Sequence, residues 1–123
     1  MSVTDNITRL RHILEACQKI MAFTDNESRD SLEADEKLQL SLVRLVEIIG
    51  EAASRTSHDF RQKYDQIPWA AIIGMRNRLV HAYFDVDLDV VWDTVIIAIP
   101  ELYNQVQAVL VQEDESNDSD SDN

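Results

Sequence analysis

The fold class is decided by residues 42–52, which read Leu42-Val43-Arg44-Leu45-Val46-Glu47-Ile48-Ile49-Gly50-Glu51-Ala52. Apolar residues recur three and four positions apart through this stretch and its flanks, which predicts an amphipathic helix over about 31–56. One apolar stripe contains Leu38, Leu42, Leu45, Ile49 and Ala52, and a neighbouring stripe adds Val43, Val46 and Ala53. The combined face is wider than a single contact seam needs. We therefore expect two packing partners, one of which could be a second copy of the chain.

Three further helices are predicted from the same spacing and from capping residues. They cover about 6–21 with Asp5 as a cap, about 68–80 with Pro68 in the first turn, and about 88–112 with Asp87 as a cap. Pro100 should kink the last of them, because proline removes one helical hydrogen bond. With only two Gly and two Pro in 123 residues, few turns are expected. The sequence thus predicts an all-α, up-and-down bundle of four main helices, occupying residues 1–112 as one domain.

An acidic segment follows that domain, at residues 113–123. Six acids interleaved with serine and asparagine make it a predicted disordered tail, because it has almost no apolar surface to bury. The chain carries a net charge of −12, and without the tail 17 acids face 11 Lys and Arg. Phosphate contacts come from clustered basic residues. Any chemistry on RNA must therefore depend on a local basic site.

Cysteine content and hydropathy bear on the class of protein. The one cysteine, Cys17, rules out an internal disulfide and falls on an apolar helical stripe, so we expect it to be buried. An apolar run of membrane-spanning length is not evident, nor is a signal-peptide core. We expect a cytoplasmic protein without a membrane contact. His, Cys and carboxylate residues lack convincing metal-ligand spacing, so neither a metal nor another cofactor is expected.

Chemistry is concentrated in residues 76–83, Arg-Asn-Arg-Leu-Val-His-Ala-Tyr. A fixed cation beside an imidazole, which titrates near neutrality, suits metal-free cleavage of a phosphodiester. On an ideal helix Arg76 and His81 lie about 140° apart, at about 100° per residue. They can converge only if the helix ends before His81 or if another chain completes the site. The spacing therefore favours a dimer with a composite site.

The predicted reaction is cleavage of RNA by its own 2′-hydroxyl. His81 can accept the hydroxyl proton or donate one to the leaving oxygen, and Arg76 can stabilise charge growing at phosphorus. Asn77 could orient a phosphate oxygen or the imidazole, Arg78 is a supporting cation, and Tyr83 could hold the backbone or stack on a base. The products would be a 2′,3′-cyclic phosphate and a 5′-hydroxyl. DNA lacks the attacking group and should not be cut.

Each of these residues also has a purely structural interpretation. His81 could cap a helix end, Arg76 and Arg78 could pair with Asp85 and Asp87, and Tyr83 could be a core aromatic. On the helix over 31–56, intrahelical ion pairs are favoured over a role in the site for Arg44, Glu47, Glu51 and Arg55. His12 and His58 are expected on the surface.

At residues 76–83 the chain resembles the HepT-like toxins of the HEPN superfamily. Their signature is an arginine, usually a polar residue after it, a histidine four to six residues on and a tyrosine two residues later. Here four residues separate Arg76 from His81, and Tyr83 follows. The similarity also takes in residues 42–52, 67–69 and 86–92. The acidic tail is not part of it.

The resemblance implies a homodimeric, metal-independent ribonuclease whose Arg76 and His81 line the dimer cleft. Members of this family are typically toxins paired with MntA, a minimal nucleotidyltransferase antitoxin. That partner transfers AMP from ATP onto the motif tyrosine, which corresponds to Tyr83 in this chain. Adenylate there would place bulk and negative charge in the cleft. The competing interpretation is a non-catalytic helical binding subunit that presents substrate or nucleotide to a separate nucleotidyltransferase.

Overall fold

The computed structural model describes residues 3–81 and 85–121. Its helices are α1 (Val3–Thr24), α2 (Arg29–Glu33), α3 (Glu36–Ser54), α4 (His58–Lys63), α5 (Trp69–Ile73), α6 (Met75–Leu79), α7 (Leu88–Asp93) and α8 (Ile99–Ser121). A π-helical segment, Thr94–Ala98, joins α7 to α8. Two short antiparallel strands, β1 (Val80–His81) and β2 (Asp85–Val86), form the described sheet. The predicted all-α fold is confirmed, and the two-residue strands were not predicted.

The core lies between the three long helices, with α1 packed against both α3 and α8. Fully buried side chains on these helices include Leu10, Ile13, Cys17 and Ile20 of α1, Leu42, Val46 and Ile49 of α3, and Ile99, Val106 and Val109 of α8. The predicted burial of Cys17 is confirmed. The apolar spacing of the predicted helix over 6–21 also places Met21 on the stripe of Cys17, but the Met21 side chain is 36% exposed. Ile20 is buried instead, because the buried face of α1 is centred to one side of that stripe.

Two polar caps divide the region that was predicted as one helix over 31–56. Ser28 caps α2, where its hydroxyl accepts from the Ser31 amide and the Ser31 hydroxyl accepts from the Ser28 amide. Asp35 caps α3 by accepting a hydrogen bond from the Leu38 amide at 3.0 Å. Short polar side chains at these positions satisfy the amides that a helix start leaves free. The predicted single helix was wrong for this reason.

Gly74 and Gly50 shape the region before the Arg76–Tyr83 motif in different ways. The predicted helix over 68–80 is interrupted at Gly74, which has φ −88° and ψ 0° and separates α5 from α6. Gly50 of α3 allows a close approach between two helices. A methyl group there would lie 3.2 Å from the Ile72 carbonyl oxygen and 3.3 Å from that of Ile73. The backbones of α3 and α5 therefore approach closely because Gly50 has no side chain.

The last helix contains a widened turn just before Pro100. The Ile99 amide donates to the Thr94 carbonyl, five residues back, where an α-helix would bond four residues back. Pro100 has no amide hydrogen to continue the regular ladder, so the π-helical turn lies where the sequence predicted an irregularity. The helix then continues to Ser121 and does not end at Gln112 as predicted.

Glu113, the first residue of the predicted disordered tail, belongs to the folded bundle. Its side chain is buried, 5% exposed, and its carboxylate accepts hydrogen bonds from the Tyr64 hydroxyl and the Lys63 ammonium. A buried carboxylate requires such partners. Glu113 therefore packs with the bundle and is not a solvated tail residue, because a contact 50 residues away in sequence decides its environment.

By length and composition, one stretch of the described chain, Leu88–Ser116, could cross a membrane, with a mean hydropathy of 1.3. The prediction that the chain has no apolar run of membrane-spanning length was therefore wrong for this stretch. Core helices of other folds meet the same criterion, and the inward side chains of this stretch pack against α1. Its outward face exposes Ile96 at 46% and Ile97 at 64%.

Candidate active site

The motif region changes from helix to strand just before its histidine. Helix α6 ends at Leu79, and Val80 is extended, with φ −128° and ψ 123°. The Asp87 amide donates to the Leu79 carbonyl at 2.8 Å, and His81 lies opposite Asp85 across the two strands. The helix thus ends before His81, which is one of the two conditions that the spacing set for convergence with Arg76. Tyr83 lies outside the described residues.

His81 is paired with a carboxylate from the start of α7. The distance from His81 Nε2 to Asp87 Oδ2 is 3.3 Å, and the His81 side chain is 57% exposed. The other oxygen, Asp87 Oδ1, accepts the Val90 amide at 3.2 Å, so Asp87 also caps α7 as predicted. The Val90 amide first, and His81 second, hold the pKa of Asp87 below its ordinary value. A carboxylate fixed at both oxygens can hold an imidazole in one orientation.

Arg76 is paired with α3. Its Nε lies 3.8 Å from Glu47 Oε2, while Glu47 Oε1 accepts a hydrogen bond from Arg44 at 2.7 Å. Arg44 also lies 3.9 Å from Glu51, so the predicted intrahelical ion pairs are present for Arg44, Glu47 and Glu51, whereas among the described residues Arg55 forms none. Glu47 nevertheless links that pair to the motif, which the sequence interpretation did not expect. At 44% exposure of Arg76 the contact is weak, because solvent screens exposed ion pairs.

Asn77 and Arg78 are both exposed on α6. Arg78 Nη2 donates to the Ala71 carbonyl at 3.1 Å and lines a cavity of about 300 Å³ between α5 and the last helix. Among the described residues neither Arg76 nor Arg78 forms an ion pair with Asp85 or Asp87. The structural interpretation that paired those arginines with those aspartates was therefore wrong.

Arg76, Asn77, Arg78 and His81 are each exposed, but they do not bond to each other. Within residues 76–81 no side-chain hydrogen bond or ion pair joins Arg76, Asn77, Arg78 and His81. Arg76, Arg78 and His81 are instead each oriented by a group from outside the motif. In the part of the chain that is described, no three His, Cys, Asp or Glu side chains could together hold a metal ion.

Sequence reasoning missed the partners of Arg76 and His81. Asp87 was expected only as a helix cap, and Glu47 only as part of an intrahelical pair. The spacing of Asp87, six residues after His81, gave no signal, because the pairing of β2 with β1 decides the distance between them. Glu47 could have been found only from the packing of α3 on α6.

Comparison with known proteins assigns the chain to a family. A model of the family described as "Ribonuclease HepT-like" matches residues 13–109, which include α3, α6 and both strands. The chain belongs to the HepT-like ribonuclease family. The match contains the whole motif, so the resemblance found from residues 76–83 is confirmed.

Several relatives of this family are similar over most of their length. "Putative RNase TTE0752" of Caldanaerobacter subterraneus subsp. tengcongensis is 38% identical over 104 residues, covering 85% of this chain and 93% of that protein. "Probable ribonuclease HepT" of Thermococcus cleftensis is 41% identical over 93 residues, covering 76% and 84%. "Putative RNase MJ1380" of Methanocaldococcus jannaschii is 32% identical over 109 residues, covering 89% and 100%. No solved structure gives a significant match.

Proposed function

We propose that this HepT-like chain is a metal-independent endoribonuclease that uses Arg76 and His81. The observation that carries the proposal is the His81–Asp87 pair on the extended segment after α6. With Nε2–H donating to Asp87, a neutral imidazole keeps the lone pair of Nδ1 free. The His81 side chain is 57% exposed, so a substrate can reach the ring and that nitrogen can act as a base. Membership of a ribonuclease family and relatives named as RNases support RNA as the substrate.

The reaction follows from these groups. Nδ1 of a neutral imidazole accepts the proton of the RNA 2′-hydroxyl, and the 2′-oxygen attacks phosphorus to form the 2′,3′-cyclic phosphate. The bond from phosphorus to the 5′-oxygen breaks, and a protonated imidazole donates the proton that makes the 5′-hydroxyl. Arg76 stabilises the negative charge that grows on the phosphoryl oxygens. To bind phosphate, Arg76 exchanges its screened contact with Glu47 for a charged hydrogen bond to the substrate.

The proposed toxin acts as a homodimer with the two motifs at a shared cleft. The exposed pair Ile96 and Ile97 follows α7, which packs against the motif helix α6. Apolar residues exposed together beside a site are typical of a protein interface. Two copies supply two imidazoles, so that one can act as base while the other acts as acid. Asn77 and Arg78, both exposed on α6, are assigned supporting contacts to the RNA backbone.

The proposed regulator is an MntA-like nucleotidyltransferase antitoxin that transfers AMP to Tyr83. Tyr83 precedes Asp85 by two positions in the chain, and Asp85 lies opposite His81 on the paired strand. An adenylate at Tyr83 would add negative charge close to His81 and repel an RNA phosphate. Cellular location in the cytoplasm follows from this role, because the RNA and the ATP are there.

The alternative is a non-catalytic subunit that presents substrate or nucleotide to a nucleotidyltransferase. The contact of Arg76 with Glu47 favours it, because that carboxylate competes with phosphate for the guanidinium. The acidic charge of the whole chain acts in the same direction. Under this alternative His81 has only a structural role, and its pair with Asp87 holds β1 against the start of α7.

Cleavage of RNA by the purified full-length chain in EDTA separates the two functions. The proposal expects cutting by the wild type, 2′,3′-cyclic phosphate ends, and a decrease of at least about a hundredfold in both His81→Ala and Arg76→Ala. Arg11→Gln is the matched control, because Arg11 is an exposed cation on α1 outside the motif. Failure of the wild type to cut any RNA, in the isolated form and after removal of AMP by phosphodiesterase, would favour the binding subunit.

Mass spectrometry tests the proposed modification. After incubation with the partner and ATP, the chain should gain the mass of one adenylate in the wild type and none in Tyr83→Phe. Tyr103→Phe, which removes a half-buried phenol of α8, is the control and should still be modified. An adenylate that persists in Tyr83→Phe would exclude Tyr83 as the acceptor.

A further inference from the structure

A groove between α1 and α3 contains two adjoining cavities that the motif does not use. The larger, of about 160 Å³, is lined by His12, Ala16 and Leu45 among others. The smaller, of about 100 Å³, is lined by Arg9, His12 and Arg55 among others. Both cavities are lined by His12 and Ile48, so they adjoin at these residues, and the two together are called the α1–α3 groove.

The smaller cavity holds cations that the protein leaves without carboxylate partners. Among the described residues Arg44 and Arg76 are ion-paired, whereas Arg9 and Arg55 are not. The Nε atom of Arg9 is buried and has no hydrogen-bond partner. A buried donor without a partner costs free energy, so the Arg9 side chain can turn towards a ligand acceptor without giving up a protein hydrogen bond at Nε. Glu51 also lines this cavity, but its carboxylate lies 3.9 Å from Arg44.

The larger cavity has a different character, with a floor of apolar side chains. Ala16 and Leu45 are buried, and Ile48 is half-buried at the junction of the two cavities. A cavity of about 150 Å³ is enough to hold a benzene-sized ring. A ring can therefore lie on the apolar floor while an attached phosphate reaches the arginines. One ribonucleotide combines these two chemistries.

Helix α3 connects the α1–α3 groove to the motif. Glu47 contacts Arg76, and Arg55 lies two turns further along the same helix, about 12 Å away at 1.5 Å per residue. A short stretch of single-stranded RNA can span that distance. The chain is acidic overall, so a cationic cavity at this position supplies the local basic site that binding of a phosphate backbone requires.

We propose that the α1–α3 groove is a second nucleotide-binding subsite, in which Arg9, His12 and Arg55 bind a phosphate and the apolar floor receives a base. The inference rests on the proposed ribonuclease function in one respect: the nucleotide bound in the groove is taken to belong to the RNA strand that is cut. The same chemistry would also bind a free nucleotide such as AMP. Binding at the groove and cleavage at the motif are measured separately, so each can fail without the other.

Fluorescence anisotropy with single-stranded RNA tests the subsite on the full-length His81→Ala chain, which binds without cutting. Adding Arg9→Gln and Arg55→Gln should weaken binding about tenfold at low salt. The slope of log affinity against log salt should become shallower by about 0.7 for each phosphate that the variant no longer binds. The matched control adds Arg11→Gln and Lys37→Gln, which remove two exposed cations from the same two helices outside the groove. Equal effects of the two pairs would overturn the subsite.

NMR signals of the His12 imidazole distinguish the two sources of nucleotide. A short oligoribonucleotide and AMP are titrated separately into the His81→Ala chain, with inorganic phosphate as a third probe. A shift of His12 with the oligonucleotide alone assigns the groove to the RNA strand, and an equal shift with AMP assigns it to a free nucleotide. No shift with any probe would overturn the proposal.

Folding of the variants is checked by circular dichroism and by Arg55→Gln alone, since Arg55 is exposed and Arg9 is half-buried. Weaker binding of RNA by the Arg55→Gln variant alone supports the subsite even where the double variant is unstable. If the wild type cuts no RNA while these variants still weaken binding, the ribonuclease proposal fails and the subsite remains. If the wild type cuts RNA and neither variant changes binding, the subsite fails and the ribonuclease proposal remains.

Discussion

Nε2 of His81 lies 3.3 Å from Oδ2 of Asp87, while Oδ1 of the same carboxylate accepts the Val90 amide. One aspartate thus joins the motif histidine to the first turn of α7. Because the helix fixes the carboxylate, the carboxylate fixes the tautomer and the direction of the ring. The proposed base is then the other nitrogen, Nδ1, and Asp87 is a positioning residue for it.

Asp87→Asn should lower kcat for RNA cleavage about tenfold or more and change KM little, because the ring loses its fixed orientation. Asparagine is also a good helix cap, so α7 should stay folded. Asp85→Asn is the matched control: it removes the same charge from the residue opposite His81, for which no side-chain contact with the ring is seen in the described part. Equal decreases of kcat in both variants would show that charge, not orientation, is responsible.

The same aspartate should make stability depend on pH. The pKa of Asp87 is lowered from 3.8, so the folded state binds the proton more weakly than the unfolded state. The stabilisation is present above about pH 3.8 and is lost as the pH falls through the lowered pKa. Urea unfolding should find Asp87→Asn less stable than wild type at pH 6, with a difference that shrinks in acid. A constant difference from pH 6 to pH 2 would contradict this.

Gly50→Ala should destabilise the bundle by about 1–3 kcal/mol, because the added methyl would press on the Ile72 and Ile73 carbonyls at 3.2 and 3.3 Å. Gly74→Ala is the control, since its methyl would meet only the Ala70 carbonyl at an ordinary 3.5 Å. Thermal or urea unfolding measures both. If Gly50→Ala destabilised the bundle no more than Gly74→Ala does, α3 and α5 would be able to separate at little cost.

Tyr64→Phe should destabilise the fold by about 1–3 kcal/mol at neutral pH, because it leaves the buried Glu113 carboxylate without one donor. Burial first, and the hydrogen bond to Glu113 second, raise the pKa of Tyr64 above 10.0. The wild type should therefore lose stability as the pH rises beyond about 10 and through that raised pKa. The variant should lack this part of the alkaline destabilisation. Tyr103→Phe, a half-buried phenol on α8, serves for comparison in the same unfolding titrations.

Cys17 should resist alkylation in the folded protein. Burial raises the pKa of its thiol from 9.0 to about 12, and the side chain is fully buried. The thiolate is the reactive form, so iodoacetamide at pH 8 should modify Cys17 only after unfolding. Mass spectrometry with and without denaturant measures this. Rapid labelling of the native chain would indicate that α1 opens readily.

The sequence predicted the helical class and most of the inward-facing residues, because apolar residues that recur every three or four positions lie on one face of a helix and are buried together. In the predicted helix over 68–80 the inward residues are Trp69, Ile72, Ile73, Met75 and Leu79, and all of these are buried except Ile73, which is half-buried. Helix divisions were missed at Asp35 and Gly74, where local capping and backbone geometry overrode the apolar pattern. Periodicity alone does not report such breaks.

The candidate site was located by sequence only at its motif. Spacing showed that Arg76 and His81 converge only if the helix ends between them or another chain completes the site, and α6 does end at Leu79. Their partners Glu47 and Asp87 could not be assigned, because each contact depends on how separate elements pack. The shared cleft of two copies stays a prediction, and so does the modification at Tyr83.

The Glu113 contact has a practical meaning for anyone who removes the acidic end of this protein. A clone stopped at Gln112 would delete the acceptor of the Tyr64 hydroxyl and of Lys63 while leaving that phenol inside the fold. One stopped at Ser116 keeps the acceptor and still omits most of the serine- and aspartate-rich end. Truncation at the boundary that composition predicts would thus give a less stable protein than truncation one helical turn later.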